Sequence, residues 1–209
     1  MSKLLELLSK KKMTLIVQLP ENSVELAKLA EAEGADALVV KNEDNNSDIL
    51  KAVKIPVGVD LSMEEALDDK QIKAHDKFDF INFHFGLLPA AAKRAKPGRI
   101  LALNEEYTLD KIIGVENTGA EAIDAAILPL SQKSKELVVG DLQNYIAIAI
   151  SSGLPVIIPT QRVITPSEVA IIADTGAKGL LLTDVVLGDD AKSMGKALRE
   201  YKMAVDDLG

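Results

Sequence analysis

Eight times along the chain a short aliphatic segment runs into a polar stop and then into a helical pattern, and this alternation restricts the fold more than any other feature. The segments are TLIVQ (14–18), ALVVK (37–41), VGVD (57–60), FINFH (80–84), ILALN (100–104), IDAAIL (123–128), PVIIPT (155–160) and GLLLTD (179–184). Strands that alternate with helices pair in parallel, and eight such units close into a small α/β barrel of the (β/α)8 type. The runs are continuously aliphatic, as strands covered on both faces require. No linker or low-complexity tract divides residues 1–209, so one barrel domain is expected to take up the chain. A barrel of this kind carries its working groups at the carboxyl ends of the strands and in the loops that follow.

The helical stretches carry their own punctuation. Asn22 or Ser23 can cap the first, Val24, Leu26, Ala27, Leu29 and Ala30 supply its apolar face, and Gly34 ends it. The join GADALVV recurs late as GAKGLLL, a weak internal likeness that suits repeating units. A polar stretch at 42–47 precedes a short helix over 48–53. Ser62 with Glu65 has capping-box spacing, Pro89 suits the first turn of the helix after strand four, and Thr108 or Asp110 opens the next. The longest loop, PLSQKSKELVVG at 129–140, is a candidate lid ahead of a helix reaching Gly153. Thr165–Pro–Ser–Glu168 forms a cap and first turn, and a final helix over 190–205 closes the ring. The leading SKLLELLSKKK is too short and too charged for a signal peptide or membrane span, and reads as an amphipathic helix closing the bottom of the barrel.

With 47% hydrophobic residues the chain can bury a sizeable core. A net charge of −8 argues against nucleic acid and anionic membrane surfaces as partners. The basic runs Lys10–Lys11–Lys12 and Lys93–Arg94 with Lys96 read as solvated helix ends. The absence of cysteine removes thiolate chemistry and fits a reducing cytoplasm. Two histidines without HxH or HExxH spacing make a metal site unexpected. A hard ion could use Asp60, Glu105 and Asp184, but nothing in their spacing demands it. There is no GxSxG elbow, P-loop or GxGxxG, so serine-triad hydrolysis and nucleoside-triphosphate chemistry lack support.

The strand ends supply the candidate site. If the last polar residue of each strand points inward, the mouth collects Gln18, Lys41, Asp60, His84, Asn104, Thr160 and either Thr183 or Asp184. Lys41, Asp60 and His84 would fall on three consecutive strands as an acid–base set. His84 would carry protons, Lys41 would face a developing oxyanion, and Asp60 would orient Lys41. A structural network of the same three residues is the competing reading. His75, near the end of the third helix, reads as surface or structural.

Two stretches carry a resemblance, QLPENSVELAKLAEAEGADALVV and PTQRVITPSEVAIIADTGAKGLLLTDVVLG. Together they resemble the phosphate-binding (β/α)8 barrels, most of all the N-acylmannosamine-6-phosphate 2-epimerases, with R-V-I-T-P-S-E as the most suggestive part. The resemblance implies a phosphate site between the loops after strands seven and eight. On an enzyme reading Arg162 and Thr183 would meet the phosphate or carboxylate, Gln18, Asn104 and Gln161 would hold hydroxyls, and Thr160 would join them in binding substrate. Those loops carry Thr160–Gln161–Arg162 and Thr183–Asp184 where glycines are usual. The epimerase lysine after strand three and glutamate after strand seven are replaced by Asp60 and Thr160 at the nearest positions. The function expected is therefore proton-transfer or carbonyl chemistry, of isomerase or lyase type, on a phosphorylated sugar or similar small anionic metabolite, without a required cofactor. A flavin-binding oxidoreductase is one alternative. The other is a non-catalytic barrel that has lost the family's catalytic residues. Leu26, Leu29, Met203 and Val205 could form a homodimer face, although packing against the barrel accounts for them equally.

Overall fold

The computed structural model of the chain describes residues 2–44, 46–64, 69–86, 93–188 and 190–209. Eight parallel strands close into one barrel in sequential order. They are β1 (Thr14–Gln18), β2 (Ala37–Lys41), β3 (Val57–Asp60), β4 (Phe80–Phe83), β5 (Gly98–Ala102), β6 (Ala122–Asp124), β7 (Val156–Pro159) and β8 (Gly179–Leu182). The helices among the described residues are α1 (Lys3–Lys10), α2 (Val24–Ala32), α3 (Asn46–Ala52), α4 (Asp69–Ala74), α5 (Leu109–Ile112), α6 (Val139–Ser152), α7 (Val169–Asp174), α8 (Asp184–Leu187) and α9 (Ala191–Asp206).

The period of two sorts each strand between two cores. Leu15, Val17, Leu38, Val40, Val59, Ile81, Ile123, Ile158, Leu180 and Leu182 face the helices. Ile16, Ala37, Val39, Phe80, Ile100, Ala122, Ile157 and Leu181 fill the barrel. Phe80 occupies room that only a glycine on β3 leaves, since a Cβ at Gly58 would lie 2.2 Å from its ring. From below, α1 drives Leu4 and Leu8, both 0% exposed, into the same interior. It is pinned there because the Asp79 carboxylate accepts from the Ser2 hydroxyl (2.7 Å) and from the N–H groups of Lys3 (2.8 Å) and Leu4 (3.0 Å). A carboxylate at a helix N-terminus satisfies orphan donors and complements the dipole.

The expected boundaries hold with a few corrections. Strand six ends at Asp124 instead of running to 128. The helix expected over 48–53 begins at Asn46, whose side chain is buried between Asn22 and the carbonyl of Lys41. Ser23 caps α2, while Asn22 turns away to bond the backbone N–H and carbonyl of Lys41. The loop over 129–138 includes a 3-10 turn at Leu130–Gln132. Glu65 and Pro89 lie outside the described residues. Of the candidate dimer residues, Val205 is buried and Leu26 and Leu29 pack against the core, which leaves Met203 exposed. No helix among the described residues is long and apolar enough to cross a membrane.

Candidate functional site

Above the apolar layer of Phe80, Ile100, Ala122, Ile157 and Leu181, the carboxyl-end mouth opens into a cavity of about 400 Å³. Its floor is polar on one side. Asp60 on β3 pairs in register with Asn82 on β4, and both line the cavity together with Asp124 on β6. Asn82 donates its amide hydrogen to Asp124 Oδ2 at 3.2 Å. Asp124 Oδ1 is buried and has no partner. A carboxyl taken out of water disfavours its charged form. Burial first, and the Asp60 charge second, push the Asp124 pKa up to about 8. Asp124 is therefore a carboxylic acid at neutral pH. Asp60 is half-buried and faces the cavity, with Oδ1 accepting from the Ser62 N–H at 2.9 Å.

The expected trio of Lys41, Asp60 and His84 does not assemble. Lys41 stands beside Asp60 in register, but its ammonium donates to the Pro20 carbonyl at 2.6 Å and lies outside the main cavity. His84 lines the cavity with both ring nitrogens engaged. Nδ1 accepts from the Gly86 N–H at 2.9 Å, which leaves Nε2 as the protonated nitrogen donating to the Glu64 carbonyl at 2.6 Å. The ring thereby ties Glu64, after β3, to Gly86, after β4. His75 bonds Asn42 Oδ1 at 3.0 Å and the Gln71 carbonyl at 3.1 Å, a structural place on the surface.

On the side expected to take a phosphate, several polar groups are engaged within the protein. Thr160 has the outward parity of Val156 and Ile158, is 0% exposed and does not face the cavity. Its hydroxyl lies 3.1 Å from that of Thr183 and accepts from the Thr183 N–H at 2.8 Å, tying β7 to β8. Arg162 is buried. Its Nε and one terminal nitrogen donate to the two Asp141 oxygens at 2.7 and 3.1 Å, and the other terminal nitrogen donates to the Gln132 carbonyl at 3.1 Å. It fastens the loop over 129–138 to α6, with each of its three nitrogens engaged within the protein. Gln161 reaches the cavity wall while accepting from the Leu128 N–H at 3.1 Å. The N–H groups of Thr160, Gln161 and Val185 are all bonded within the protein.

Gln18, Asn104 and Thr183 do line the cavity, and the Gln18 amide has no hydrogen-bond partner among the described residues. At the rim, Lys133 from the loop over 129–138 pairs with Asp184 at 3.0 Å. Glu105 does not line the cavity, and no cluster of three or more metal-ligating side chains occurs among the described residues. Asp124 is the residue that sequence reasoning missed. The available signal was an acid inside an apolar run, a position that costs free energy unless it has a partner or stays protonated.

At the sequence level no protein-family model and no curated protein matches the chain. Solved structures match its fold. Thiamine phosphate pyrophosphorylase from Pyrococcus furiosus is similar with a TM-score of 0.70 and 18% identity, over 95% of this chain and 98% of that one. Phosphoribosyl anthranilate isomerase from Thermus thermophilus gives 0.69 and 16%, over 94% and 100%. 3-Hexulose-6-phosphate synthase gives 0.69 and 16%, over 92% and 99%. At such identities the likeness is one of fold: this chain has the small (β/α)8 barrel architecture of enzymes named for phosphorylated metabolites.

Proposed function

We propose that the protein is an enzyme that moves a proton on a small anionic metabolite, such as a phosphorylated sugar, using Asp60 and Asp124 as a base and acid pair. One observation carries the reading. Two carboxyls share the cavity floor, and their surroundings keep one of them, Asp124, protonated at neutral pH with an unpartnered oxygen. Paired titratable groups driven apart in pKa are the usual means by which one site supplies both acid and base.

In the step proposed, the Asp60 carboxylate takes the proton from the carbon next to a carbonyl as the C–H electron pair forms the enediol double bond. Asp124 gives its proton to the carbonyl oxygen. Return of a proton to the neighbouring carbon, with loss of the hydroxyl proton to Asp124, completes an isomerisation and restores both groups. Asn82 holds Asp124 Oδ2, which orients the acid. Gln18 and Asn104 offer amides to hydroxyls. The likeness to N-acylmannosamine-6-phosphate 2-epimerases carries over as ligand class only, because Lys41, Thr160 and Arg162 are turned to other uses.

The test is hydrogen exchange from deuterated water into a panel of aldose and ketose phosphates, followed by NMR. Asp60→Asn and Asp124→Asn should each lower the rate by about 10²–10⁴-fold. The wild-type rate should fall as pH rises through about 8, where Asp124 loses its proton. A rate insensitive to Asp124→Asn would sink the assignment. A second reading, a barrel that binds its ligand without chemistry, is favoured by the structural engagement of both His84 nitrogens and of Arg162. Saturable binding without exchange would favour it.

A further inference from the structure

Beside the main cavity lies a smaller pocket of about 180 Å³, walled by Gln18, Leu19, Pro20, Lys41, Lys133 and Asp184. Gln18, Lys133 and Asp184 also line the main cavity, so the two spaces adjoin. In a chain of net charge −8, two lysines, one at the end of β2 and one in the loop over 129–138, wall this one pocket. Lys41 spends one N–H on the Pro20 carbonyl, and an ammonium has three to give. Lys133 is held by Asp184, both of whose oxygens lie 3.0 Å from its nitrogen. The free Gln18 amide adds two further donors.

We propose that this pocket is the anion site of the protein. Lys41 and Lys133 would hold the phosphate end of a phosphomonoester whose reactive carbons reach the Asp60 and Asp124 floor. The proposal deepens the function proposed above and rests on it for the ligand's other end. It moves the phosphate from Thr160 and Arg162, whose polar groups are engaged within the protein, toward the ends of β1 and β2, with Asp184 after β8 at its edge. Lysines serve such groups as point charges, and several N–H donors suit a dianion with three terminal oxygens. Asp184 occupies Lys133 in the meantime as an internal carboxylate. An arriving phosphate takes its place, and its charge opposes that binding.

This gives a test in which the sign of each effect is fixed. Inorganic phosphate and ribose 5-phosphate are titrated into labelled protein, and amide shifts are followed by two-dimensional NMR. Shifts are expected at Leu19, Lys41 and Lys133. Lys41→Met and Lys133→Met should each weaken binding by roughly five- to tenfold, and Asp184→Asn should tighten it by a similar factor. Lys54→Met removes the same charge at the opposite end of the barrel and should change nothing. Melting curves confirm that each variant is folded. The site is overturned if neither ligand binds saturably, if the shifts centre on Arg162, or if Lys54→Met weakens binding as much as the other two. Deuterium exchange that persists without phosphate binding removes this site and leaves the Asp60 and Asp124 pair standing. Binding without exchange does the reverse.

Discussion

The two halves of the barrel mouth are built from similar residues and put to opposite uses. On the β7 and β8 side, Thr160, Thr183, Arg162 and Asp141 are buried and bond one another, so the polar groups finish the structure. On the β3 to β6 side, Asp60, Asn82 and Asp124 are left incomplete: one oxygen has no partner and one carboxyl holds a proton at neutral pH. A buried polar group without a partner costs stability, and one that faces a cavity is placed for a ligand to complete it. Polarity alone therefore does not mark a site. Unfinished polarity inside a cavity is the better pointer, and Asp124 is where the two coincide.

The strongest way to break this contrast is at Arg162. If its role is to hold the 129–138 loop against Asp141, Arg162→Met strands a buried carboxylate and should cost about 3–5 kcal/mol, measured by urea unfolding. Adding Asp141→Leu should recover part of that loss, because the stranded charge goes with it. Phosphate affinity of the folded fraction should not change. A stable variant with weakened phosphate binding would return Arg162 to the ligand and close the distance between the two halves.

Asp124 gives the next largest effect, with an unusual sign. The native state keeps the proton up to a pH of about 8, whereas an unfolded aspartate loses it near 4. Between those values the native state binds more protons, so this group's contribution to stability falls as pH rises, by at most about 1.4 kcal/mol per pH unit. Asp124→Asn still offers Asn82 an acceptor and removes the titration. The variant should gain roughly 2–3 kcal/mol on the wild type between pH 5 and pH 7. Parallel pH profiles of unfolding free energy for the two proteins would show that Asp124 is ionised in the native state.

The sequence made the barrel legible because the strands carry aliphatic runs and several helices carry their caps. Strand parity also put Gln18 and Asp60 on the cavity wall, where they are found. Parity fixes the direction of a Cβ and not the end of a long side chain, and so it misplaced the Lys41 ammonium, which folds back to Pro20. Thr160 ends an apolar run, which suggests an inward residue, but it shares the outward parity of Val156 and Ile158. The apolar run continues to residue 128 and hides that the strand ends at Asp124. The motif around Arg162 resembles a phosphate ligand's, and its partner Asp141 lies 21 residues away in sequence on another element. Helix and strand patterns are local and survive in one dimension. Satisfaction of a polar group is a tertiary property that no motif records.

The smallest expected effect sharpens the comparison most, because it sets one ion pair against another. Lys133 and Asp184 are 38% and 59% exposed, against 8% and 5% for Arg162 and Asp141. Water and salt screen the first pair, and each of its side chains gives up freedom to form it, so Asp184→Asn should shift the unfolding free energy by less than about 1 kcal/mol. Its charge still faces the cavity, so the same variant should change anion affinity while leaving the urea midpoint nearly fixed. Raising the salt concentration should shrink the affinity change, as expected for exposed charges. A loss as large as that for Arg162→Met would mean that Lys133 and Asp184 hold the mouth together, and the division into a finished half and an open half would no longer stand.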